Sequence, residues 1–158
     1  MTYFSLAHAL LSSIALISFN DTIATNAEPE FYMADQSNVA IRGYDVVSYF
    51  NAPTPMMGNP NFSHVYGGVT WLFSNEKNLF KFREDPEQYV PQYRGYCVWA
   101  ISKGRLTGGD PTLSKVLDGK LYLLCSQEAL DNWMKDPYTH IERANRNWEE
   151  LMKLHPEK

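Results

Sequence analysis

The sequence predicts an α+β fold: a small antiparallel sheet of hairpins with helices packed over it, in a single domain. Three observations predict it. Two stretches carry apolar residues on both sides of a Gly-Gly or Asp-Gly dipeptide, which is a hairpin signature. A serine that can cap a helix, then an amphipathic stretch, follows each of them. The C-terminal stretch repeats apolar residues at three- and four-residue steps, the period of a helix with one buried stripe.

Before the first hairpin, residues 28–39 are polar and read as an irregular lead-in. Residues 46–50 are apolar and fit a strand or a short helix, and residues 51–61, with Pro53, Pro55 and Pro60, read as a loop. In the first hairpin Phe62, His64 and Tyr66 alternate with Ser63 and Val65. After Gly67-Gly68, Val69, Trp71 and Phe73 alternate with Thr70 and Leu72, so this second arm is apolar on both faces and belongs inside a sheet. Ser74 is placed to cap a helix over residues 75–83, with Leu79, Phe80 and Phe82 on one side, and Asp85-Pro86 ends it. Residues 96–102 read as a buried run and residues 103–112 as a Gly-rich surface loop. Asp118-Gly119 centres the second hairpin. Ser126 caps a helix with Leu130, Trp133 and Met134 inward, and Asp136-Pro137 opens the last helix, striped by Ile141, Ala144, Trp148, Leu151 and Met152. No internal repeat or low-complexity tract is evident.

The 158 residues suffice for one domain once a leader is set aside. Aromatics make up 14% of them, which suits a small core built from large side chains. The net charge is −4 and no basic stripe appears, which argues against a nucleic-acid partner. Residues 1–27 read as a signal peptide: residues 6–19 are its apolar core and Thr25-Asn26-Ala27 offers a cleavage point. The first basic residue is Arg42, so the usual charged start is missing, and a retained N-terminal helix or a mis-assigned start is the alternative. The expectation is a periplasmic or secreted protein with its domain at residues 40–155 and no membrane span after leader removal.

No catalytic constellation emerges, and the expectation is a protein that is not an enzyme. Cys97 follows Gly95 and is placed in the first turn of a helix, where backbone amides, and Arg94, favour a thiolate. Such a sulfur can ligate copper(I) or react with oxidants. The plain alternative is a small buried hydrophobe. His64 is a candidate ligand or an edge-strand histidine. Asp45 orients His64 or caps a turn. Cys97 and Cys125 are close enough for a disulfide only if their Cα atoms come within about 7 Å, and both states stay open. Met56-Met57 offers soft ligands or simple contacts. Residues 61–63 form a glycosylation sequon.

Several of these stretches, in order, resemble one known family. They are GYDVVSYF at residues 43–50, Y-x-G-x-x-W-x-F at residues 66–73, PQYRGYC at residues 91–97 and DGKLYL at residues 118–123. Together they resemble the YHS-domain family, in particular its longer, signal-bearing bacterial branch. The short members of that family are thought to bind metal through cysteines. At the positions where a short member has cysteine, this chain has Ser48, Ser74 and Asn78, which departs from a four-ligand zinc site. The resemblance implies an exported small binding module. It would hold a soft metal ion, copper first, through Cys97, with His64 and Asp45 as the other metal candidates. A metal ion or small ligand is then the partner. A reactive thiol at Cys97 and a non-catalytic interaction module are the alternatives.

Overall fold

A computed structural model describes residues 32, 34 and 37–155. The signal-peptide reading of residues 1–27 lies outside the described residues. The described chain is α+β, with two hairpins that each form a separate two-stranded antiparallel sheet. A left-handed turn (Ala40–Gly43) leads into α1 (Ser48–Asn51), the hairpin β1 (Asn59–Tyr66) and β2 (Val69–Phe73), then α2 (Glu76–Glu84) and α3 (Pro86–Tyr89). A second turn (Gln92–Gly95) leads into α4 (Val98–Ser102), the hairpin β3 (Asp110–Leu117) and β4 (Lys120–Leu124), then α5 (Gln127–Lys135) and α6 (Pro137–Leu154).

The same order of elements therefore runs twice, and the expectation of no internal repeat is corrected. The likeness reaches the backbone. In the first turn Ile41, Arg42 and Gly43 have φ of 40°, 51° and 81°; in the second, Tyr93, Arg94 and Gly95 have 53°, 52° and 86°. Two consecutive non-glycine residues in the left-handed region are costly, by about 1–2 kcal/mol each, so finding this conformation twice is not a matter of local preference. Each turn is tied down alike. Gly58 N–H donates to Gly43 O at 2.8 Å, and Gly109 N–H to Gly95 O at 2.9 Å. Both hairpins also slip register at one place, between Asn59 and Ser63 in β1 and between Asp110 and Ser114 in β3.

The local signals hold up where they are short-range. Gly67-Gly68 and Asp118-Gly119 supply the positive φ that tight hairpin turns require. Ser126 caps α5 by accepting from Ala129 N–H at 3.1 Å, and Asp85 and Asp136 cap the Pro-led helices α3 and α6. One cap differs: Asn75, not Ser74, accepts from Asn78 N–H at 2.9 Å, which releases Ser74 for another role. Two inward assignments are also corrected. Phe80 and Met134 are 51% and 50% exposed. The residues that face the core are their close neighbours Phe82 and Trp133. A step of one or two residues along a helix turns a side chain to a different face.

The core lies in two clusters, one centred on each half, with Leu121 and Leu123 of β4 joining the first. In the first, Phe82 packs against Trp71 and Phe73 with ring centroids 5.2 and 5.0 Å apart. In the second, Trp133 takes the equivalent place, 5.7 Å from Tyr122. The outer edge of each inner strand is bridged: Val39 pairs with Thr70 of β2, and Cys97 with Leu123 of β4. That last pairing brings the start of α4 to the end of β4. No helix among the described residues is long and apolar enough to cross a membrane.

Candidate metal site: a thiol pair and its oxygen counterpart

Asp45 and Cys97 each follow an Arg-Gly-Tyr turn, and their backbones are held alike. Asp45 N–H donates to Met56 O, and Cys97 N–H to Thr107 O, both at 2.8 Å. Each side chain then receives a backbone N–H from the residue after the inner strand. Ser74 N–H donates to Asp45 Oδ2 at 2.8 Å, and Cys125 N–H to Cys97 Sγ at 3.2 Å. One position in the fold thus carries a carboxylate in the first half and a thiol in the second.

Around Asp45 the pocket is polar and satisfied. Oδ1 accepts from the N–H groups of Val47 and Ser48 at 2.9 and 3.3 Å. Besides the Ser74 amide, Oδ2 accepts from Ser74 Oγ–H and Asn78 Nδ2–H, both at 2.6 Å. Ser48 Oγ–H donates to Asp45 O at 2.6 Å and accepts from Met56 N–H at 2.9 Å. Ser48, Ser74 and Asn78 are the three places where the resemblance expects cysteine, and all three converge on this one residue. A carboxylate has about four acceptor sites. Five donors already occupy those of Asp45, so it closes a hydrogen-bond knot instead of presenting oxygens to a cation.

The matching positions in the second half are Cys97, Ala100, Cys125 and Ala129. Cys125 stands where Ser74 stands, and its N–H donates to Cys97 Sγ at 3.2 Å. The two sulfurs are therefore neighbours, both as free thiols. Cys97 is fully buried among Val98, Ile101, Tyr122 and Leu124, while Cys125 is half-buried. Cys97 is the cap residue of α4, not part of its first turn. Burial pushes its thiol up from the ordinary 9.0 to about 12, with the Cys125 thiol adding to the rise. This reverses the expected low pKa, because desolvation outweighs the pull of the amides in so short a helix. The backbone N–H groups of Ala100 and Cys125 act in the opposite direction, and that of Cys125 donates to Sγ at 3.2 Å.

His64 sits on the aromatic face of β1, as the alternation predicts, beside Phe62 and Tyr66. Its ring meets Phe82 with centroids 6.2 Å apart, and partial burial followed by Arg83 lowers its pKa. It belongs to the first half, whereas Cys97 belongs to the core of the second. Among the described residues no three of His, Cys, Asp and Glu gather as a metal-holding group. The residue that sequence reasoning passed over as a ligand is Cys125. Its signal was the alignment of the two Arg-Gly-Tyr turns, which sets Cys125 against Ser74 and thus at a cysteine position of the resembled family.

No curated protein and no solved structure matches the chain. The sequence profile of the YHS domain matches residues 50–93. That stretch contains β1, β2, α2 and α3, with His64, Ser74 and Asn78, and ends before Cys97. The first hairpin and the helices behind it, residues 50–93, are thus similar to a YHS domain.

Proposed function

We propose that this protein is a small exported module that holds a soft metal ion, copper(I) first, on the Cys97–Cys125 thiol pair. The observation that carries the reading is the adjacency of these two sulfurs at the place where the polar knot sits in the other half. Soft thiolates select copper(I), and that ion is content with two of them. A structural zinc ion asks for four N or S ligands, and Ala100 and Ala129 fill the other two corresponding positions. The Cys125 amide that donates to Cys97 Sγ supports a thiolate there once a cation replaces the thiol protons. Metal binding ascribed to YHS domains supports the same class of ligand. Cys97 is retained from the sequence reading, Cys125 joins it, and His64 and Asp45 stand apart from the pair. Export rests on the apolar stretch at residues 6–19 and the small residues at 25–27.

Untagged, fully reduced protein titrated anaerobically with copper(I) against a chromophoric chelator tests the reading. One ion per chain is expected, with uptake lost in Cys97→Ser and in Cys125→Ser and kept in His64→Ala. Undiminished uptake by either serine variant overturns it.

A further inference from the structure

We propose that Cys97 and Cys125 also close reversibly into an intramolecular disulfide, so that oxidation and metal compete for the same two sulfurs. The inference deepens the metal reading and rests on it for its regulatory meaning, but the bond itself stands on separate geometry. Three observations carry it. The backbone of Cys97 is bridged to Leu123, two residues before Cys125, so the two chain segments lie side by side. Cys125 N–H donates to Cys97 Sγ at 3.2 Å. The equivalent pair in the other half shows how close side chains at these positions come: Ser74 Oγ lies 2.6 Å from Asp45 Oδ2.

The unequal burial of the two residues sets the order of events. Cys125 is half-buried and Cys97 is sealed, so an incoming oxidant meets Cys125. With a small-molecule disulfide as oxidant, the Cys125 thiolate attacks one of its sulfurs. A mixed disulfide forms and one small thiol leaves. Cys97 then attacks Cys125 Sγ; the S–S bond between the two cysteines forms, the mixed bond breaks, and the second small thiol leaves. The protein gives up two protons and two electrons, and the oxidant takes both as two thiols. The amide of Cys125 stabilises the negative charge that develops on Cys97 Sγ as it attacks. Oxidation leaves the sulfurs without the thiolates a cation needs, so the closed pair releases its metal.

The full chain, free of metal, is equilibrated in glutathione buffers of graded potential, quenched with acid, denatured and alkylated, and its intact mass is read. The expected result is one concerted transition in which both alkylation sites vanish together in monomeric protein. Cys97→Ser, under the same oxidant, should stop as a glutathione adduct on Cys125. A stable adduct on Cys125 in the wild type, with Cys97 still alkylatable after denaturation, overturns the proposal, as does a disulfide found only between chains. The metal-free assay also separates the two readings. A disulfide without copper uptake sinks only the metal function, and copper uptake without a disulfide sinks only this inference. Where both hold, oxidised protein takes up no copper and recovers uptake on reduction.

Discussion

Asp45 and Cys97 occupy one and the same position in the two halves of the chain, each anchored through its own N–H and each receiving a strand-end amide. The position has taken opposite chemical courses. In the first half every neighbour is a donor, and the carboxylate is consumed as structural cement. In the second half the matching positions hold alanines and a second cysteine, and Cys97 Sγ accepts the N–H of Cys125. The repeated plan thus sets a fully hydrogen-bonded carboxylate against two free thiols.

Removing the carboxylate should be severe. Asp45→Ala strands the amides of Val47 and Ser74, the Ser74 hydroxyl and the Asn78 amide, which all converge on it. Unmet buried donors cost about 1–3 kcal/mol each before relaxation and water entry, so a net loss of about 3–5 kcal/mol is expected in urea unfolding. Asp45→Asn should not rescue it. Both carboxylate oxygens accept, and an amide must turn its NH2 against donors on one side. A loss below about 1 kcal/mol for Asp45→Ala would mean the knot is not structural.

Two glycines hold the halves to the same plan for a steric reason. A Cβ on Gly58 would lie 2.4 Å from Leu72 Cβ and 2.6 Å from its carbonyl carbon. On Gly109 it would lie 2.6 Å from Leu123 Cβ and 2.7 Å from Gly95 O. Those neighbours are backbone or Cβ atoms, which cannot swing away. Gly58→Ala and Gly109→Ala are each expected to destabilise by about 3 kcal/mol, the upper end of ordinary overpacking costs. Adding Leu72→Ala should not restore Gly58→Ala, because alanine keeps the clashing Cβ. Gly108 is the internal control: a Cβ added there would meet nothing within 4 Å, so Gly108→Ala should change stability by less than about 0.5 kcal/mol. Equal unfolding midpoints for the Gly108 and Gly109 variants would contradict the steric account.

The hairpins and helix starts were legible because turn dipeptides, caps and Asp-Pro steps act within a few residues. The duplication was not, because it survives mainly as backbone shape. Of the two turns, Ile41-Arg42-Gly43-Tyr44-Asp45-Val46 and Tyr93-Arg94-Gly95-Tyr96-Cys97-Val98 share Arg-Gly-Tyr and a valine, while the key residue between them differs. Cys97 drew notice on its own. Cys125 entered only as an open disulfide partner, because its approach to Cys97 depends on a bridge to β4 that no local pattern announces. His64 was placed on the right face of β1, yet alternation says nothing about which half's core that face meets. The thiol pKa went astray for a related reason. The amides at the start of α4 are a local feature, and the burial that overrides them is a tertiary one.

That burial has a consequence for stability at high pH. The thiol of Cys97 is raised from 9.0 to about 12 in the folded protein. Above about pH 9 the unfolded chain sheds this proton while the folded chain keeps it, so the folded state binds more protons and stability falls as pH rises. The stabilisation is complete below the unfolded value and is lost on the way up through the folded one. The slope for one such group is about 1.4 kcal/mol per pH unit. Burial also raises Tyr49, Tyr93 and Tyr122, which act with the same sign. Their share cancels when wild type is compared with Cys97→Ala, both reduced and metal-free. The stability advantage of the wild type over that variant should therefore hold steady from pH 7 to about 8.5 and shrink across pH 9–11. Urea midpoints at half-unit pH steps measure it. An advantage that stays constant to pH 11 would show that Cys97 ionises as easily in the folded chain as in the unfolded one, and that solvent reaches the sulfur.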